Sequence, residues 1–299
     1  MRILLMLAMA LLTACQSLPP LPEWQSPEGR EHPELGVILD LRSGERLSPE
    51  QLVGQLASAD RVLIGERHDN PDHHTLQLWL VQALAMQRRQ GSLLLEMLVP
   101  AQQAKVDGVR EMQAQGRLPS DLPAALEWEK GWPWGLYGDV VSYALQQPYP
   151  VMAANLDRSE VMSIFTGAAP PLSGDRSTAS PVREALLAQV RRSHCDLLPE
   201  AQLPAMVAVQ QQRDRRMADR LLAAPQPALL LAGSFHVRRD LGVPLHLDDL
   251  DDLDAQGATQ VLILAEVGER HTAQQADYVW YTPAQPEQDH CAQMRQTSR

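Results

Sequence analysis

The chain has 299 residues, 44% of them hydrophobic and 21% charged, and a formal net charge of −11. That length and composition admit one large domain or two small ones with a real buried core. The acidic balance, without any run of lysine or arginine, argues against nucleic acid or an anionic membrane surface as the principal partner.

At the N-terminus Arg2 precedes an apolar run, Ile3 to Leu12, too short to span a bilayer but suited to a signal-peptide core. The run ends in Leu12-Thr13-Ala14-Cys15, which resembles the bacterial lipoprotein signal. The resemblance implies a signal peptide over 1–14, cleavage before Cys15 and diacylation of its thiol. Gln16, where an aspartate would signal inner-membrane retention, implies the outer membrane of a Gram-negative cell. Two or more acyl chains anchor stably where one does not. An ordinary signal peptide that leaves Cys15 free is the other reading. Residues 15–30, rich in proline and polar side chains, read as an extended tether, and 31–299 as the folded domain. In an oxidising compartment the two remaining cysteines, Cys195 and Cys291, are expected to form a disulfide. Each follows a histidine, His194 and His290, which leaves a metal reading open.

The stretch "GVILDLRSGERLS" (36–48) reads as a hairpin turning at Ser43-Gly44. A helix comes next, with Ser48 as N-cap, Pro49 at its first position and Gln51 completing a capping box. From there short apolar runs, "RVLIG", "SLLLEM", "YPVMAAN", "PALLLAG" and "TQVLILAEVG", alternate with helix-patterned segments at 70–90, 100–114, 134–147, 181–192 and 199–223. This alternation predicts an α/β fold with a mostly parallel β-sheet flanked by helices. Residues 157–223 lack a convincing strand and read as a small helical insertion or lid.

The residues at the end of each apolar run carry the chemistry. Glu66 and His68 lie just after the first, Glu96 ends the second, and Asn155 ends the third. Ser234 and His236 lie just after the fourth, and Glu266 belongs to the end of the fifth. In an open parallel sheet the strand C-termini share one edge, where ligands bind. "GERH" (65–68) and "GSFH" (233–236) are both Gly-x-x-His, with glycine allowing a sharp turn and close backbone approach. Asn70-Pro71 starts a helix with His73 and His74 in its first turn, an end that favours neutral imidazole. These two rings read either as ligands or as one core and one exposed histidine. The mixed N/O donors Glu66, His68, Glu96 and His236 suit a divalent metal, or an acid/base hydrolase in which a glutamate activates water. A Gly-x-Ser-x-Gly elbow and a paired-cysteine zinc motif are both missing from the sequence, which disfavours a serine hydrolase and a cysteine-ligated zinc.

Together "VLIGERHDNPDHH", "LLLEM", "WPWGLYGDVVSYALQQPYPVMAANLDR", "QQQRDRRMADRL", "LLAGSFHVRRDLGVP" and "ADYVWYTP" resemble the ChaN-like haem-binding uptake lipoproteins, in order over about 36–283. The paired Gly-x-x-His loops also resemble the TraB/Tiki and erythromycin-esterase-like groups, in which equivalent residues carry hydrolytic chemistry. The family resemblance implies an outer-membrane lipoprotein that binds haem, two haems lying face to face in a homodimer with tyrosine as iron ligand, and a possible outer-membrane haem receptor as partner. Tyrosinate suits ferric haem in transport because it holds Fe(III) without promoting oxygen chemistry. On that basis Tyr137, behind Trp128, Trp132 and Trp134, is the first choice of ligand and Tyr143 the alternate. His73 and His74 are further cofactor candidates, and Arg67, Arg238 and Arg239 candidate propionate partners. Haem is the expected cofactor, with a divalent metal belonging to the hydrolase alternative.

Overall fold

The computed structural model describes residues 17–250 and 257–297. The signal segment and Cys15 lie outside them. The chain opens with a hairpin, β1 (Ile38–Asp40) and β2 (Arg46–Leu47), and then α1 (Pro49–Ala57), whose Ser48 and Gln51 form the capping box. Next come β3 (Arg61–Glu66), α2 (Pro71–Gln87), β4 (Ser92–Leu95), α3 (Gln103–Ala114), α4 (Leu122–Ala125), α5 (Trp134–Leu145) and β5 (Val151–Ala153). A helical stretch of α6 (Arg158–Ser163), α7 (Ser180–Ser193) and α8 (Leu203–Ala223) precedes β6 (Ala228–Gly233) and a single turn, α9 (Ser234–Val237). The chain ends with α10 (Val243–Leu250), β7 (Thr259–Glu266), β8 (Tyr278–Thr282) and α11 (His290–Thr297).

The strands form one sheet of order β2-β1-β8-β7-β3-β6-β4-β5. β3 through β8 pair in parallel, and the hairpin adds antiparallel strands at the β8 edge. The sheet is therefore mostly parallel with helices on both faces. Strand β8, rich in Tyr, Val and Trp, joins it through a crossover over 267–277 made of turns, so no helical segment announces it.

The period of two along each strand divides the core cleanly. Val62, Ile64, Leu229, Leu231, Leu262 and Leu264 face α1, α2 and α5. Leu63, Leu230, Ala232, Val261 and Ile263 face α8 and α10. Strands buried on both faces read as continuous apolar runs, which is why these were visible in the sequence.

Two features depart from the expected domain plan. The proline-rich segment, read as a tether, lies against the domain from residue 17 onward. Trp79 Nε1 donates to Pro19 O (2.9 Å), and the Asp72 carboxylate accepts from Gln25 N (2.6 Å) and Ser26 N (2.8 Å), with Ser26 fully buried. The helical stretch, in turn, is not wholly a lid. The first half of α8 packs with α7 in a small core of Leu186, Val190, Leu203 and Val207, while Met217, Ala218 and Leu221 further along cover the sheet. Cys195, just after α7, forms a disulfide with Cys291 of α11 (Cα–Cα 5.4 Å). Among the described residues no helix is long and apolar enough to cross a membrane.

Asp72 thus fastens the N-terminal segment to α2. Asp72→Ala leaves two amides without their acceptor, a loss of about 1–3 kcal/mol that is local to the segment. Limited trypsin digestion should then cut at Arg30 well before the domain unfolds, whereas equal cleavage rates in parent and variant would show that the carboxylate does not hold the segment.

Candidate functional site

Glu66, Gly233 and Leu95, with Glu96 directly after it, end three neighbouring parallel strands, β3, β6 and β4. Residues far apart in sequence therefore meet at one sheet edge. Glu66 continues the parity of Val62 and Ile64 and turns under α2 and α5. Glu96 turns to the opposite face, toward α8. Two glycines let the loops interleave. A Cβ on Gly65 would stand 2.4 Å from Val237 Cγ2, and one on Gly233 would stand 2.8 Å from His68 Cε1, both impossible contacts.

On the α5 side, Glu66 Oε1 receives His68 Nδ1 at 2.5 Å. The Tyr137 hydroxyl donates to the same oxygen (3.3 Å) and lies 3.3 Å from His68 Nδ1. Trp132 packs edge-on against the His68 ring (4.9 Å between centroids), and His74 packs edge-on against Tyr137 (4.3 Å). His74 is buried, its Nε2 donating to His68 O (3.1 Å), and so shapes the loop from beneath. Glu66 is buried, and among the described residues its Oε2 has no hydrogen-bond partner. His68 is 47% exposed, and its Nε2 is the nitrogen left without a partner among the described residues. Burial resists charging His68, but the hydrogen bond and charge of Glu66 prevail and raise its pKa above the usual histidine value.

On the α8 side, His236 bridges two carboxylates. Its Nε2 lies 3.2 Å from Glu96 Oε1 and its Nδ1 2.5 Å from Asp214 Oδ1, with Gln210 Nε2 3.0 Å from that same Nδ1. Gly233 N donates to the other Glu96 oxygen at 2.7 Å. Burial opposes charge on His236, yet Glu96 and Asp214 overcome it and push the imidazolium up to about 10. Glu96 answers in the opposite sense: burial would raise it, but His236 pulls it down to about 2. Asp214 is pushed up to about 6 by burial, which the shared imidazolium offsets only in part. His236 is therefore a fixed cation at neutral pH, and His68 is the cleft histidine able to exchange a proton with solvent.

The remaining sequence candidates have other duties. His73, read as a cofactor candidate, is fully buried, accepting from Arg67 N at Nδ1 (2.8 Å) and reaching Thr282 Oγ1 with Nε2 (2.9 Å). Desolvation holds its pKa well below the ordinary value, with His74 and Arg67 adding to the effect. Neither His73 nor His74 is the exposed ring that one reading expected. Arg67 pairs with Glu266 (2.6 Å) and Asp69, Arg238 with Asp240 (2.6 Å), and Arg239 with Asp277 (2.8 Å) on the far side of the sheet. Asn155 donates to Glu96 O (3.0 Å), and Glu266 accepts from Asn70 (2.9 Å), so both brace loops. Tyr137 is fully buried, while Tyr143 is half-buried two turns along α5. Among the described residues no group of three or more His, Cys, Asp or Glu is arranged to hold a metal ion. Glu66 pairs with His68, and Glu96 with His236.

Sequence reasoning missed Asp214 and Gln210. Asp214 shares a helix face with Met217 and Leu221, both fully buried. An acid at i, i+3, i+7 spacing with core residues was the available signal.

Removing His236 leaves two buried carboxylates uncompensated, so His236→Gln should cost about 3–5 kcal/mol at pH 7. His236 has its folded pKa raised to about 10, so its contribution is complete below the unfolded value and fades as pH climbs through 10. Glu96 has its pKa depressed to about 2, so its share is lost as pH falls from the ordinary carboxylate range toward 2. Urea melts of parent and variant across pH 6 to 10.5 should converge at the alkaline end. A pH-independent gap would refute the charged bridge.

The sequence pattern of the haem-binding uptake family of the Tiki superfamily, ChaN, matches residues 52–247. Among solved structures, the ChaN of Campylobacter jejuni with cofacially bound haem is 34% identical, with a TM-score of 0.74, covering 82% of this chain and 95% of that one. An effector domain of a Vibrio vulnificus MARTX toxin (14% identity, TM-score 0.44, 82% of this chain and 39% of that one) is a more distant neighbour. So is an erythromycin esterase in its open conformation (12% identity, TM-score 0.43, 91% and 86%). No curated protein matches the chain. With its pattern matched over most of the domain and a ChaN structure more than 30% identical, the chain belongs to the ChaN haem-binding uptake family.

Proposed function

We propose that this protein binds haem and holds it for iron acquisition, without degrading it, while anchored to the outer membrane through Cys15. The observation that carries the reading is its kinship with the C. jejuni ChaN, which binds haem cofacially. The lipid anchor rests on residues 2–15, and an outer-membrane haem receptor is the expected partner. Bound haem would supply a ferric iron able to take an oxygen or nitrogen ligand from the protein.

The residues present fit haem in one place and resist it in another. Tyr137 donates its hydroxyl proton to Glu66, and burial together with the Glu66 and Glu96 charges raises its pKa far above the usual tyrosine value. A fully buried phenol that donates to a carboxylate would have to give up that hydrogen bond to become an iron-bound tyrosinate. Tyr143 is the tyrosine whose side chain reaches the surface among the described residues; Tyr149, Tyr278 and Tyr281 are buried. It shares a face of α5 with Leu136, one heptad earlier and also half-buried. These observations support Tyr143, the alternate candidate, as the iron ligand over Tyr137. Of the arginines considered for the propionates, Arg67 has the most open side chain, at 41% exposed. The cofacial haem of the C. jejuni ChaN supports a homodimer in which two copies of this chain would enclose the haem between them.

Titration of the purified full-length chain with ferric haem should give a saturable Soret change with tyrosinate charge-transfer bands and a shift from monomer to dimer in sedimentation. Tyr143→Phe should weaken binding at least about tenfold, equivalent to about 1.4 kcal/mol, and abolish those bands, with Tyr137→Phe retaining them. Unsaturable uptake by the parent would overturn haem binding itself, and an unchanged Tyr143→Phe spectrum would overturn the ligand assignment.

A further inference from the structure

A domain on a long flexible tether turns freely above its lipid anchor, but here the chain is fastened almost from the anchor onward. Leu18 packs against the core under α1, α2 and α5. Trp79 Nε1 then holds Pro19 O (2.9 Å), and the Asp72 carboxylate holds Gln25 N (2.6 Å) and Ser26 N (2.8 Å). Ser26 Oγ donates to Asn70 Oδ1 (3.2 Å) and accepts from Gln285 Nε2 (2.7 Å), while Arg30 Nη2 donates to Trp24 O (2.9 Å). Cys15 precedes Leu18 by three residues, which span at most about 11 Å even when fully extended.

The fastening also has a direction. Pro19 lies beside the middle of α2 and Ser26 beside its first turn, so the segment runs antiparallel to the helix. The first turn of α2 is the end at the strand-end cleft, where His74 supports the His68 loop (3.1 Å). The other end returns to the start of β3, where Arg88 donates to Ala59 O (2.6 Å). The anchored end of the segment is therefore the end away from the cleft.

The surface beside it carries no charge, although the chain as a whole has a net charge of −11. Neither Ser17–Pro22 nor Thr75–Gln87 contains a charged residue. Leu21 is 49% exposed, and Leu78, Gln82 and Ala85, at i, i+4, i+7 spacing, form a partly covered outer strip of α2. A negatively charged domain held close to lipid meets the headgroups with its uncharged face, because like charge repels and desolvating a charge is costly.

We propose that residues 17–26 are a fixed mount that seats Leu21 and the uncharged face of α2 on the lipid surface and turns the strand-end cleft away from it. The acyl chains supply the attachment, and the clasp on α2 supplies the orientation. The inference rests on the Cys15 anchor of the proposed function.

The test places the lipidated full-length chain on vesicles of phosphatidylethanolamine and phosphatidylglycerol that contain a lipid with a nitroxide on its headgroup. With Cys15 acylated and Cys195 bonded to Cys291, a single introduced cysteine takes a fluorescent maleimide. Leu21→Cys labels the mount, and Phe235→Cys, at a position 50% exposed in α9, labels the strand-end side. The nitroxide should quench the label at 21 and leave the label at 235 bright. A ten-residue Gly-Ser spacer inserted between Gln16 and Ser17 adds about 17 Å of flexible reach without touching the domain. It should abolish most of the quenching at 21 while the protein still floats with the vesicles. Failure of the parent to float would overturn the anchor and the docking together. A floating chain with equal quenching at the two positions, or with quenching at 21 that survives the spacer, would overturn the mount and leave the anchor standing.

Discussion

Three parallel strands in register, β3, β6 and β4, bring Glu66, Gly233 and Glu96 side by side at one edge of the sheet. This contact is the constraint on which the rest of the site depends. The middle strand must end in glycine, because any side chain there would occupy the space of the His68 ring. A slip of one residue would exchange the faces of every side chain and drive Glu66 toward α8. The apolar faces of β3 and β6, buried on both sides, forbid such a slip, so core packing fixes the chemistry.

The two halves of the cluster are stabilised differently. Glu66 and His68 are joined by one short contact, supported by the Tyr137 hydroxyl and the ring of Trp132. Glu96, His236 and Asp214 instead share a single imidazolium between two carboxylates contributed by the sheet and by α8. Asp214 is thereby the electrostatic fastening between the helical stretch and the strand ends, in the part of α8 that covers the sheet. The half-exposed histidine can gain and lose protons with little structural consequence, while the buried one cannot.

The alternation of apolar runs and helical segments made the α/β sheet readable from the sequence, because doubly buried strands carry an unbroken hydrophobic signal. The meeting of Glu66, His68, Glu96 and His236 was readable too, since parallel strands must end along a common edge. Other features were hidden for physical reasons. Strand β8 comes after a crossover without a helix, and Asp214 lies in a helix whose charged outer face masks its apolar inner one. The segment 17–30 looks like a linker by composition, but the acceptor that pins it, Asp72, is over 40 residues away. Tyr137 was the first choice of iron ligand for its aromatic neighbours, and the structure packs its ring among them, out of contact with solvent. Local sequence shows that a tyrosine is surrounded by tryptophans without showing whether its hydroxyl faces solvent or a carboxylate.

Helix α5 carries Tyr137 and Tyr143 to different ends of the sheet. Tyr137 and Tyr143 are six residues apart, about 9 Å along the helix axis at 1.5 Å per residue. Tyr137 therefore belongs to the strand-end cleft, while Tyr143 lies toward the opposite edge of the sheet, near Tyr149 and the start of β5. The Tyr137 hydroxyl, its pKa raised by burial and by the neighbouring Glu66, stays a hydrogen-bond donor to that carboxylate. Loss of this buried donor would leave His68 as the hydrogen-bond partner of Glu66 Oε1, so the phenol belongs to the packing of the strand-end cleft.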